Sequence, residues 1–212
     1  MTPSLSRLGY VMSMELFPIL LMTGCNVNDK PFRSILPEDA DLRTGDVVFR
    51  RGGGFASQVV LAADAQGEYS HVGIVVDSAG QKMIVHAVPG EPDFKGDEDR
   101  VKMDTPDHFF STEFTIIGEV CRPKNPTIAR KASEVAMRLY KKRVLFDHAY
   151  DDRDSLKMYC TELIVYAFRQ AGCEIVTNKR HTVNLPIIKA ECIFPSDIYS
   201  SEYLESIVMF NK

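Results

Sequence analysis

"KMYCTELIVYAFRQAG", residues 157–172, places a cysteine at the head of a stretch with helical periodicity. Leu163, Ile164, Tyr166, Ala167 and Phe168 recur at the spacing that gathers them on one side of a helix. Ala171-Gly172 ends the run in the usual way, because glycine leaves the helical conformation without a steric cost. The preceding "DDRDSLKMY" (151–159) is polar and turn-like, so a helix is expected to start near Cys160. Two readings of that cysteine are open. Most free cysteines pack inward as small apolar residues. A thiol at a helix N-terminus, however, meets unpaired N–H groups and the positive end of the dipole, which favour the nucleophilic thiolate.

A nucleophilic cysteine also needs a base and a group that orients the base. Two short strands are expected at "SHVGIVVDS" (70–78) and "KMIVHAVPG" (82–90), joined by a turn at Ala79-Gly80. His71 begins the first strand and His86 lies in the second, so a hairpin about that turn can bring both to one end of the pair. One ring taking the thiol proton while the other fixes its tautomer is sound chemistry. Either histidine alone reads equally well as a structural residue. His108, His148 and His181 occupy polar segments and are expected at the surface.

The remaining pattern indicates an α+β fold, a small mostly antiparallel sheet with helices packed against it. "LRTGDVVF" (42–49) gives a turn and a strand, "FASQVVLAADA" (55–65) a short helix, and "EFTIIGEVCR" (113–122) a further strand. "PTIARKASEVAMRLYKK" (126–142) is a helix with Pro126 near its start and Ile128, Ala132, Val135, Ala136 and Leu139 on one face. Pro195-Ser196-Asp197 starts another helical turn. The charged segment "EPDFKGDEDRVKMDTPDHFFS" (91–111) is expected to be an exposed excursion. Gly52–Gly54 lack the spacing and the Lys-Ser/Thr of a phosphate loop.

The 212 residues, 45% apolar and 25% charged, supply one core, and a net charge of −4 argues against nucleic acid as a partner. No CxxC pair exists, so nothing indicates a structural zinc site or any other cofactor. Cys121 ends an apolar strand and reads as a core thiol, while Cys173 and Cys192 are free to pair in an oxidising compartment. At the N-terminus, "MTPSLSRLGYVMSMELFPILLMTGCN" has a basic residue, an apolar stretch and small residues before a cysteine. It resembles a lipoprotein signal peptide over residues 1–24, with Cys25 as the acylated residue. Residues 25–41 then read as a tether and 42–212 as the folded domain. This implies a membrane-anchored bacterial lipoprotein of the cell envelope, facing the periplasm.

Taken in order, "RTGDVVF" (43–49), "YSHVGIVV" (69–76), "VHAVPG" (85–90), "YCTELIVYAF" (159–168) and "FPSDIY" (194–199) resemble the NlpC-type cysteine hydrolases with a circularly permuted papain-like fold, nearest to their YiiX- and YaeF-like bacterial members. The resemblance implies Cys160 as nucleophile, His71 as base and His86 as the orienting residue, where that group usually has Glu. It also implies that "FDHAYDD" (146–152) borders the substrate cleft through Phe146, Asp147 and Tyr150. The backbone N–H of Cys160 is the natural oxyanion donor. Three functions follow from these residues: hydrolysis of amide bonds in short, cell-wall-type peptides; hydrolysis or transfer of acyl esters in the manner of lecithin:retinol acyltransferase-like proteins; or binding without catalysis.

Overall fold

The structure, a computed structural model, describes residues 33–64, 67–150, 156–177, 180–185 and 188–212. In chain order these form β1 (Val47–Arg51), α1 (Phe55–Ala63), β2 (His71–Ser78), β3 (Gln81–Val88), β4 (Arg100–Asp104), α2 (Pro106–Phe109), β5 (Ile117–Pro123) and α3 (Pro126–Lys141). There follow β6 (Leu145–Phe146), β7 (Lys157–Met158), α4 (Cys160–Gln170), β8 (His181–Leu185), β9 (Ile188–Cys192), α5 (Pro195–Tyr199) and β10 (Leu204–Asn211). Eight of these strands make one sheet in the order β10-β5-β1-β2-β3-β4-β6-β7, antiparallel except for β6 with β7, while β8 and β9 pair separately. The chain is therefore α+β.

Side chains alternate between the faces of a strand, and here both faces are used. On one face Val47, Phe49, Val72, Ile74, Val85, Ala87 and Val101 meet Ala132, Val135, Ala136 and Leu139 of α3 and Leu163, Ile164, Ala167 and Phe168 of α4. On the other, Val48, Val75, Ile84 and Val120 meet Phe109, Phe110 and Phe210. The β2–β3 turn has Ala79 and Gly80 both at positive φ, the twist that a two-residue hairpin connection requires. Gly45 before β1 sits at φ +92, where a Cβ would lie 2.4 Å from the Ala129 backbone. Only glycine lets α3 approach that turn. Asp46 completes the turn by accepting from the Arg43 N–H (2.8 Å) and the Arg122 guanidinium (2.9 Å).

One expectation needs correction. The segment 91–111 is not a bare excursion: it contains β4 and α2, and Arg100, Lys102 and Asp104 are buried. Its charges read as solvated in sequence, but Arg100 pairs with Asp93 and Asp97 of the preceding loop, Lys102 pairs with Asp93, and Asp104 meets Lys102 and, across the strands, His86. Part of the segment read as a tether makes hydrogen bonds of its own to the folded chain. The Ile35 N–H donates to the Phe110 carbonyl (3.0 Å) and the Thr112 N–H to the Arg33 carbonyl (2.7 Å), which fastens part of the expected tether to the segment between α2 and β5. The signal-peptide and Cys25 readings lie outside the described residues.

Candidate active site

Helix α4 starts at Cys160, as its sequence indicates, and its N-cap Tyr159 makes no side-chain capping bond. Leaving out a good cap costs about 1 kcal/mol. Burying Leu163, Ile164 and Phe168, all at 0% exposure, contributes about 1.5–3 kcal/mol each and holds the helix in place regardless. The first-turn N–H groups are thereby left for the cysteine. The N–H groups of Val72, Thr161 and Cys160 itself aim at its sulfur. Val72 follows His71 in β2, so the helix tip meets the sheet beside that histidine.

His71 stands opposite Arg50 of β1, and the register pairs Ile74 with Val85, which sets His86 across from Gly73. His71 Nε2 and His86 Nδ1 lie 2.9 Å apart, so the hairpin does bring the two rings together. Gly73 permits this. A Cβ there would stand 2.7 Å from Ile84 Cγ2 and 3.3 Å from both His86 Cβ and the Phe109 ring. Behind the pair, His86 Nε2 is 2.9 Å from Asp104 Oδ2. Asp104 also receives His108 Nδ1 (3.1 Å) on Oδ2 and Lys102 Nζ (3.3 Å) on Oδ1. The Phe109 ring packs edge-on against His86 with centroids 5.1 Å apart.

Burial controls the charges. It pushes the Cys160 thiol up to about 11, against the pull of the three N–H groups and Arg50. It holds His71 well below the ordinary histidine value, and Arg50 and His86 add to that by repelling an imidazolium. His86 is lowered for the same first reason, although Asp104 opposes it. Burial would raise the Asp104 carboxyl, but the bonds from His108 and His86 and the charge of Lys102 outweigh it and hold the group ionised. At neutral pH the resting site holds a protonated thiol and a neutral imidazole in one cavity.

Cys160 and His71 line one cavity of about 470 Å³. Phe55, Val59, Val60, Phe146, Val183 and Phe194 make its walls largely apolar. Tyr150 lines it too, as expected for a substrate contact. Asp147 is not among the described lining residues; it is buried, and its Oδ1 accepts the Ala149 N–H at 2.9 Å. Arg50, which sequence reasoning passed over, is a buried member of the wall. It donates to the Phe109 carbonyl (2.9 Å), pairs with Glu91, and lies 4.6 Å over the Phe109 ring. Register opposite His71 was the signal that could have found it. Asp104 and His108 were missed because their segment read as loop. His148 and His181 are exposed, as expected, and pair with Asp99 (3.2 Å) and Asp197 (3.0 Å).

None of Cys121, Cys160, Cys173 and Cys192 is in a disulfide, so Cys173 and Cys192 are not joined. Among the described residues no group of three or more His, Cys, Asp or Glu is arranged to hold a metal ion. His71 Nε2 and both ring nitrogens of His86 are engaged with one another and with Asp104.

No protein-family profile and no curated protein matches the sequence. Among solved structures, the chain is similar to the metalloprotein YiiX of Escherichia coli O157:H7, a DUF1105 protein, with a TM-score of 0.62 at 15% identity. The match covers 78% of this chain and 96% of that one. At that identity the likeness is one of fold, and it takes in nearly the whole of the E. coli chain.

Proposed function

We propose that the protein is a cysteine hydrolase of the permuted papain-like, NlpC-type arrangement, acting on amide bonds of short peptides such as those of the cell wall. The observation that carries the proposal is His71, in one cavity with a cysteine at an uncapped helix N-terminus and bonded from behind to the buried His86 at 2.9 Å. His71 takes the Cys160 proton as the sulfur attacks the carbonyl carbon, and the imidazolium then returns that proton to the leaving amine. Water, deprotonated by His71, releases the acyl group as a carboxylic acid and restores the thiol. The Cys160 N–H, released from the sulfur as the bond to carbon forms, donates to the tetrahedral oxygen. YiiX of E. coli is a metalloprotein; among the described residues of this chain no group of three or more His, Cys, Asp or Glu is arranged to hold a metal ion, and the proposed steps use the side chains alone. The acyl-chain reading remains as a second proposal because the cavity walls are largely apolar. Anchoring of the mature chain to the envelope through Cys25 is part of the same proposal.

Incubation with a muropeptide mixture and a phospholipid mixture, wild type against Cys160→Ala, tests the reaction. Peptide cleavage confined to the wild type supports the amide reading. A long acyl chain trapped on Cys160 in intact-mass spectra supports the ester reading. Equal turnover by both proteins refutes the proposed nucleophile.

A further inference from the structure

A hydrogen-bonded row of two imidazoles can carry its protons in either of two directions, and the distances alone do not choose. The end of the row does. An ionised carboxylate only accepts, so His86 Nε2 must carry the hydrogen directed at Asp104 Oδ2. A neutral His86 then has a bare Nδ1, which accepts from His71 Nε2–H. That leaves the lone pair of a neutral His71 on Nδ1. We infer that Asp104 is a positioning residue which, acting through His86, fixes both tautomers and reserves His71 Nδ1 for the Cys160 proton. The inference rests on the hydrolase reading only for the use made of that lone pair.

The surroundings of Asp104 make the choice one-sided. Its Oδ1 faces Lys102 Nζ, an ammonium that can only donate. Lys102 is held where it is by the Glu91 carbonyl (2.9 Å) and Asp93 (2.8 Å), so it cannot turn away. The Oδ2 of Asp104 faces two imidazoles, His86 and His108, whose nitrogens can either donate or accept according to tautomer. In Asp104→Asn, the amide NH₂ therefore has one tolerable orientation, toward the imidazoles, with its oxygen on Lys102. His86 must then accept on Nε2 and donate from Nδ1, and His71 must accept on Nε2 and carry its proton on Nδ1. The base is lost without a change of shape.

The same logic supplies a reversal. Lys102→Met removes the obligatory donor, so in the Lys102→Met/Asp104→Asn protein the amide oxygen is free to face His86 again. A residue that merely supported the fold would not be rescued by a second loss of this kind.

Nitrogen-15 NMR of the histidine rings reads the tautomers directly and needs no turnover. The wild type is expected to carry ring protons on Nε2 of both His71 and His86, Asp104→Asn on Nδ1 of both, and the double variant on Nε2 again. In parallel, the rate of Cys160 acylation by p-nitrophenyl acetate at pH 7 should fall on the order of 10³–10⁴-fold in Asp104→Asn, the scale of a wrong-tautomer defect, and recover in part in the double variant. A wild-type His71 with its proton on Nδ1 overturns the inference, and that measurement requires no variant to fold. Unchanged tautomers in a folded Asp104→Asn overturn it as well. The expected tautomers in a wild type that is not acylated would support the assignment to Asp104 while counting against the hydrolase reading.

Discussion

Alkylation of Cys160 as a function of pH separates two ways of running a cysteine hydrolase. In one, thiol and imidazole exist beforehand as thiolate and imidazolium, and the sulfur reacts quickly even at acidic pH. Here burial disfavours both charges, so the thiol is pushed up to about 11 while His71 is held well below its ordinary value. At pH 7 a thiol with that value is thiolate in about one molecule in 10⁴, against about 3% for an ordinary cysteine, roughly a 300-fold deficit. A more basic thiolate is intrinsically more nucleophilic, which returns about tenfold to twentyfold. Iodoacetamide at pH 7 should thus modify Cys160 roughly 20-fold more slowly than free cysteine, with the rate rising about tenfold per pH unit up to pH 10. Intact-mass kinetics from pH 5 to 10, with Cys160→Ala to subtract Cys121, Cys173 and Cys192, provide the measurement. A flat rate between pH 5 and 8, faster than free cysteine, would refute the neutral pair and with it the general-base order of events proposed above.

Other outcomes follow from the same geometry. Because His71 stays neutral to well below the usual histidine range, kcat/KM should hold on the acid side past pH 6.5 instead of falling there; a pH–rate profile decides. Stability should move oppositely: unfolded histidines protonate near pH 6.5 while His71 and His86 in the folded chain do not, so the unfolded state binds more protons and the melting temperature drops as pH falls from 7 to 5. Replacing both histidines by glutamine should flatten that slope. Gly73→Ala drives a methyl to 2.7 Å from Ile84 and 3.3 Å from His86, and should cost about 1–3 kcal/mol in chemical denaturation while slowing Cys160 acylation. Arg50→Met removes the cation that favours the thiolate and repels the imidazolium, so both the Cys160 thiol and His71 should titrate higher, read by alkylation and by NMR.

The sequence alone settled those parts of the protein whose physics is local. A 3.6-residue apolar period with glycine behind it is enough to make residues 160–170 a helix, and that helix begins at the cysteine. Alternating β-branched runs about Ala79-Gly80 make the hairpin, and the hairpin brings His71 to His86. Tertiary structure decided the rest. "RVKMD" (100–104) reads as solvated because three of its five residues are charged, yet as β4 it buries Arg100, Lys102 and Asp104. The groups that satisfy them, the carboxylates of Asp93 and Asp97, the Glu91 carbonyl and the rings of His86 and His108, come from other elements or loops. Arg50 is buried for the same reason, against Glu91 and two aromatic rings. A charge enters a protein interior only where its counter-charges are already assembled, and that assembly is a property of strand register. The cysteine and its two histidines were therefore legible as residues in a row, whereas the aspartate that orders their protons became visible only once the sheet had formed.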